Sequence, residues 1–188
     1  MARIDDSRPF IAVNIAVLTV SDTRSAADDS SGDTLAARIA AAGHRVAARA
    51  IERDDADAIV RRLSGWIDDP TIDVVITTGG TGITGRDVTP EAFERVMEKR
   101  IEGFGELFRM ISFQKIGTST MQSRALGGVA HGTYLFALPG SGGAVRDAWD
   151  EILVWQLDNR HRPCNLVELM PRLEEHRRGV GQAPDQAM

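Results

Sequence analysis

One cysteine, Cys164, stands in 188 residues, so no disulfide can form within the chain. A fold stapled by cross-links is excluded, and the composition suits a reducing compartment. Histidine is scarce as well. His44, His131, His161 and His176 are far apart and show no metal-ligand spacing, which with a single thiol argues against a structural zinc site. No apolar stretch approaches twenty residues, so no membrane-spanning helix and no membrane partner is expected. The N-terminus lacks a basic region leading into an unbroken apolar run. Asn14 interrupts the segment from Phe10 to Val20 and no small-residue cleavage pattern follows, so no signal peptide is expected. These absences point to a soluble protein of the cytoplasm. Basic charge is also short, with 22 Lys and Arg against 27 Asp and Glu and a net charge of −5. That balance argues against a dedicated nucleic-acid binder. It leaves small anionic substrates open, because a nest of backbone N–H groups can hold a phosphate on an acidic protein.

What is present fits one globular domain, with 43% hydrophobic and 26% charged residues. Residues 1–10 are expected as a flexible arm, 11–173 as the domain and 174–188, charged and then poor in apolar residues, as a disordered tail. Ile11 to Ser21 is a β-branched, nearly continuous apolar run, the pattern of a strand buried on both faces. His44 to Ile51 and Ile72 to Thr78 are further strand candidates. Leu35 and Ile39 recur at helical spacing over Asp33 to Ala42, with Gly43 as the stop. Ile59, Leu63, Trp66 and Ile67 mark one face of a second helix, with Asp54 as a candidate N-cap. Thr89 and Pro90 open another helix, as N-cap and first helical residue. Gly103 to Gln114 reads as helical. Ala125–Ala130 and Thr133–Leu138 form a hairpin across His131 and Gly132 or belong to separate strands. A long helix then runs to about Asn159. Strands alternating with helices predict a three-layer α/β/α domain with a mainly parallel central sheet.

Ligands of such sheets bind at the carboxyl ends of the strands. Three segments there attract attention: Ser21 and Asp22, Gly79 to Asp87, and Pro139 to Gly143. The segment Thr77 to Glu91 (TTGGTGITGRDVTPE) is glycine-rich enough to curl its N–H groups toward an anion. Gly80 to Gly85 formally matches the dinucleotide fingerprint, but the helix starts too late and the acidic strand end that should follow is missing. Arg86 and Asp87 stand where a P-loop needs lysine and a hydroxyl residue. Asp54 and Asp87, brought to one sheet edge, suit a hard cation held by carboxylates and substrate phosphates. Asp54 is equally explained as a helix cap, and the pair Asp28 and Asp29 is expected in a solvated turn. Ser119, Ser123 and Arg124 in a polar loop offer hydroxyls and a guanidinium to a phosphate, or only cap helices.

These motifs, in this order and spacing, resemble the MoaB/MogA family of molybdenum cofactor biosynthesis. The likeness rests on LTVSD (Leu18 to Asp22), DDSSG (Asp28 to Gly32), TTGGTG (Thr77 to Gly82), RDVTPE (Arg86 to Glu91), GFGE (Gly103 to Glu106), QSRA (Gln122 to Ala125) and LPGS (Leu138 to Ser141). It runs from about Ile15 to Leu157, and RPCN (Arg162 to Asn165) is similar to the bacterial B-type branch. The resemblance implies a molybdopterin-binding domain, shared with gephyrin-type proteins. The implied activity is Mg²⁺-dependent adenylylation of molybdopterin by ATP, with Asp54 and Asp87 as catalytic and metal-holding aspartates. Ser21, Gly79, Gly80, Thr81, Gly82, Ser119, Ser123, Arg124, Pro139, Gly140 and Ser141 would contact pterin or nucleotide. The alternative within the family is a pterin carrier without turnover. The resemblance also implies a trimer, or a hexamer made from trimers. Leu166, Val167, Leu169 and Met170, wasteful in solvent, are expected at a subunit contact unless they fold back on their own domain.

Overall fold

The computed structural model describes residues 3–177. The chain runs through β1 (Arg3–Ile4), β2 (Asn14–Val20), α1 (Ser30–Ala41), β3 (Arg45–Glu52), α2 (Ala56–Ile67), β4 (Val74–Thr78) and α3 (Thr89–Glu94). It continues through β5 (Lys99–Arg100), α4 (Glu102–Ile116), β6 (Leu126–Ala130), β7 (Thr133–Leu138), α5 (Gly142–Ala148), α6 (Val154–Gln156) and β8 (His161–Arg162). Six strands form one sheet in the order β3-β2-β4-β7-β6-β5. The first four are mutually parallel, and β6 and β5 close the far edge antiparallel.

The continuous apolar run of β2 follows from its central position. Ile15 and Val17 face a core with Leu35 and Ile39 of α1, Phe104 and Phe108 of α4, and Val145 of α5. Ala16, Leu18 and Val20 face a second core with Ile59, Leu63 and Trp66 of α2 and Phe93 of α3. The three-layer α/β/α arrangement is therefore as expected, and both helices marked by apolar spacing bury the residues that marked them. β6 and β7 do form a hairpin. His131 (φ 47°) and Gly132 (φ 83°) both take left-handed backbone, which matches the twist of a two-residue turn.

Several expectations are corrected. The cap of α2 is Asp55, whose carboxylate accepts the Ala58 N–H at 2.8 Å. Asp54 lies one residue too early for that bond and is released from the role. Thr89 does not cap α3; Val88 holds that position, and the Thr89 hydroxyl donates to the Gly79 carbonyl at 2.9 Å. Asp29 is no solvated turn residue. It is buried, caps α1 through the Gly32 N–H at 3.0 Å, and accepts from the Thr19 hydroxyl at 2.8 Å and Arg49 at 3.2 Å. The expected long C-terminal helix is interrupted at Trp149–Leu153 by a wider π-type turn and ends at Gln156. Of the expected arm, residues 1–2 lie outside the described residues; within 3–10, β1 pairs with β8 and the Phe10 ring lies tilted against His44 and under Arg160. The segment after β8 folds back. Val167 is buried, Leu166 and Met170 pack on the first core, and Tyr134 donates its hydroxyl to the Leu166 carbonyl at 2.9 Å. Three of its four apolar residues are thus used within the chain, while Leu169 stays 43% exposed. Of the expected tail, 174–177 form the end of the described chain and 178–188 lie outside the described residues.

Candidate functional site

After β2 the chain crosses to β3 on one side, and after β4 it leaves toward β7 on the other. The loops beyond β2 and β4 therefore diverge, which opens a crevice at the carboxyl ends of two adjacent parallel strands. A cleft of about 560 Å³ occupies that position. Its lining includes Ser21, Gly79, Gly80, Thr81, Gly82, Ser123, Pro139 and Gly140, with Asp54 and Asp87, all expected from the sequence.

The glycines are required by close approach. Gly79 has φ +107°, and a Cβ there would lie 2.1 Å from the Val20 carbonyl oxygen, so β4 leaves the sheet pressed against β2. Gly80, at φ +64°, would bring its Cβ within 2.5 Å of the Thr89 hydroxyl and 3.0 Å of Asp54 Oδ1. The loop is then fixed from outside. Thr89 N–H donates to the Gly80 carbonyl at 3.0 Å and Arg124 N–H to the Thr81 carbonyl at 3.0 Å. The Arg124 guanidinium spans the Gly82 carbonyl (2.6 Å) and the Asp87 carbonyl (2.7 Å) and also pairs with Glu91. Arg124 is thus engaged in shaping the loop and is not among the residues lining the cleft.

Three carboxylates gather at the cleft. Asp22 N–H donates to Asp54 Oδ2 at 3.0 Å, and Asp54 N–H returns a bond to Asp22 Oδ1 at 3.3 Å. Burial, and then the Asp22 carboxylate, push the Asp54 carboxyl above its ordinary value. The Arg86 hydrogen bond holds Asp22 below its own. Burial works against ionisation of Asp87, but the Thr84 hydroxyl (2.6 Å) and N–H (2.8 Å) prevail and hold it low. Arg86 and Arg24 line the cleft beside Asp54 and Asp87, so both signs of charge meet there.

Two expected contacts lie elsewhere. Ser119 is exposed in the 3₁₀ turn Gly117–Gln122 and does not line the cleft. Ser141 caps α5, accepting the Ala144 N–H at 3.2 Å. Ser21 lines the cleft while its Oγ accepts the N–H groups of Thr23 and Arg24. Asp22 and Arg86 fall in segments singled out from the sequence but without a role of their own there, and Arg24 was missed. The signal was available in part, since Asp22 follows a buried strand and Arg86 precedes Asp87, but pairing between loops 64 residues apart leaves no local pattern. Among the described residues no group of three or more His, Cys, Asp or Glu side chains forms a ready metal site.

A parallel sheet with a glycine-bounded, carboxylate-bearing crevice at its switch point defines a binder of small charged ligands. The model of a probable molybdopterin binding domain matches residues 16–159. Molybdenum cofactor biosynthesis protein B of Escherichia coli (strain K12) is 50% identical over 160 residues, covering 85% of this chain and 94% of its own. The protein of the same name from Bacillus subtilis is 44% identical over 147 residues, covering 77% and 86%. A crystal structure of a molybdenum cofactor biosynthesis protein B superposes with a TM-score of 0.80 at 39% identity, covering 89% of this chain and 99% of that one. The tungsten cofactor synthesizing protein MoaB of Pyrococcus furiosus gives 0.68 at 30%, covering 89% and 98%. The chain belongs to the MoaB/MogA family of molybdenum cofactor biosynthesis proteins and carries its molybdopterin-binding domain. No described helix is long and apolar enough to cross a membrane.

Proposed function

We propose that the protein binds molybdopterin and ATP in the switch-point cleft and adenylylates the pterin. The terminal phosphate of molybdopterin attacks the α-phosphorus of ATP. A P–O bond forms there as the bond to diphosphate breaks. The attacking group already carries its charge, so neither a protein nucleophile nor a general base is needed; alignment and electrostatics supply the acceleration. Gly79, Gly80 and Gly82 line the cleft without side chains to obstruct phosphates, and Thr81, Ser123, Pro139 and Gly140 line it as well. The observation that carries this reading is Asp54. It lines the cleft beside Asp87 and the glycine loop, and Asp55 relieves it of capping.

The donor set suits Mg²⁺. That ion needs only one or two carboxylates beside substrate phosphates, and Asp54 feels repulsion from Asp22 and Asp87 that the Asp22 N–H and the Arg86 charge oppose. Asp54 and Asp87 would hold it, and bound Mg²⁺ would offset the charge of the triphosphate. Purified protein given ATP and molybdopterin should release diphosphate and adenylylated pterin. Pterin binding without turnover would replace this reading with a carrier.

Assembly into a trimer, or a hexamer made from trimers, is proposed with it. The support is no longer the segment after β8 but one stripe of α4. Leu107, Met110, Phe113 and Ile116 recur at every third position and are exposed, and Met121 follows at 82%. A second copy of the chain is the occupant to which the family resemblance points.

A further inference from the structure

Arg86 occupies an unusual position for a charged residue on a loop tip. Residues 83–86 are all exposed, yet its side chain reaches back across the cleft mouth to the loop beyond β2. There Nε donates to Asp22 Oδ2 at 3.0 Å, and Nη2 shares the same oxygen. Asp22 Oδ1 is already taken by the Asp54 N–H. Three separate loops, those after β2, β3 and β4, are thereby tied at one point above the cleft.

The tie is built to be exchanged. Arg86 is 68% exposed and Asp22 36%, and ion pairs this wet contribute little. Two guanidinium nitrogens converge on a single carboxylate oxygen, which leaves the fork without its bidentate match. A polyphosphate offers the fork two oxygens and more than one negative charge. Arg86 also lines the cleft itself, so a ligand seated on Gly79 to Gly82 lies within its reach.

We propose that Arg86 is a latch: it neutralises Asp22 in the free protein and transfers to the polyphosphate of a bound nucleotide. This rests on the nucleotide reading of the cleft and adds to it a binding residue and its competitor. The exchange has a consequence for the carboxylates. When Arg86 leaves, Asp22 and Asp54 lose their nearest positive charge, so the cleft becomes more attractive to a cation once the nucleotide is seated. Nucleotide binding and cation binding are thereby coupled in sign, each favouring the other. Asp22 sets the threshold, because any ligand must outcompete it for the guanidinium.

Calorimetry with ATP and with adenosine as probes tests this without turnover. Arg86→Gln should weaken ATP binding by roughly tenfold or more, the loss of a charge-assisted contact, and leave adenosine binding unchanged. Asp22→Asn should tighten ATP binding, because it frees the guanidinium. In the Arg86→Gln background that gain should vanish, since there is nothing left to release. If Asp22→Asn tightens ATP equally in both backgrounds, Asp22 acts by simple repulsion and the latch is overturned. If the parent binds ATP and Arg86→Gln binds it equally well, the latch is again overturned and the nucleotide cleft survives. A parent protein that binds no ATP removes the nucleotide reading beneath it. Both residues are exposed, and circular dichroism of each variant should match the parent.

Discussion

Asp54→Asn separates catalysis from architecture more cleanly than any other change in this cleft. The side chain keeps its volume and an acceptor oxygen, so the bond now made by the Asp22 N–H at 3.0 Å can persist. The helix cap is untouched, because Asp55 makes it. What disappears is one negative charge facing Gly80 and the cleft. Loss of a charge that organises a metal and a transition state costs on the order of 10²-fold in rate. Stability should move the other way. The Asp54 carboxyl is raised above its ordinary 3.8 by burial and by Asp22. The native state therefore binds more protons than the unfolded chain between that value and the raised one, and stability falls as pH rises through the window. Above the window the ionised group is a standing cost, which asparagine lacks. The variant should thus equal or exceed the parent in thermal stability at neutral pH, with the advantage fading under acid conditions. Diphosphate release at saturating Mg²⁺, paired with thermal unfolding at pH 7 and pH 4, reads both quantities. Near-parental turnover would reject a catalytic Asp54. A loss of thermal stability at pH 7 would refute the standing cost assigned to the ionised Asp54 carboxylate.

Further outcomes follow from the same geometry. Asp87→Asn should also lose about 10²-fold in diphosphate release while molybdopterin binding, measured by calorimetry, is retained. Asp29→Ala removes the α1 cap and the partner of Thr19 and Arg49 together, and urea unfolding should register a loss of about 2–3 kcal/mol. Gly82→Val would drive its Cβ to within 2.7 Å of Asp87 Oδ2, and affinity for both ATP and pterin should fall in a folded protein. Phe113→Glu on the exposed stripe of α4 should reduce the mass found by light scattering to that of a monomer. A parent that is already monomeric at micromolar concentration would refute the assembly.

How far the sequence discloses this protein depends on the range over which each feature is encoded. β2 and β4 are legible because burial on both faces demands an apolar residue at every position, and α2 because its buried side chains repeat with the helical period. The glycine loop is legible for a similar reason, since φ values of +107° and +64° favour glycine within the same short segment. Caps are less so. Arg53-Asp54-Asp55 contains two acidic residues of equal capping ability, and a displacement by one residue decides which is structural and which faces the cleft. Asp29 shows the opposite error. A carboxylate among polar neighbours suggests solvent, but its partners Thr19 and Arg49 come from strands, and their contacts with it are visible only once the sheet has formed.

The same distinction explains why the binding wall was found and its charge network was not. Backbone approach constrains residue type locally: where β4 presses against β2 at 2.1 Å from a would-be Cβ, only glycine fits. Charge pairing imposes no such restriction. Arg86 would be tolerated at an exposed loop tip whether or not Asp22 stood opposite, and Asp22 would be tolerated after β2 whether or not Arg86 reached it. Their meeting depends on two loops that diverge at the switch point and are brought level by the parallel register of β2 and β4, in which Thr19 lies beside Thr78. The register also carries Asp54 to the same rim, because β3 ends at Glu52 opposite Val20. Parallel strands in near-equal register thus deliver three loop starts to one edge, and the chemistry of the cleft is set by which side chains those first loop residues bear.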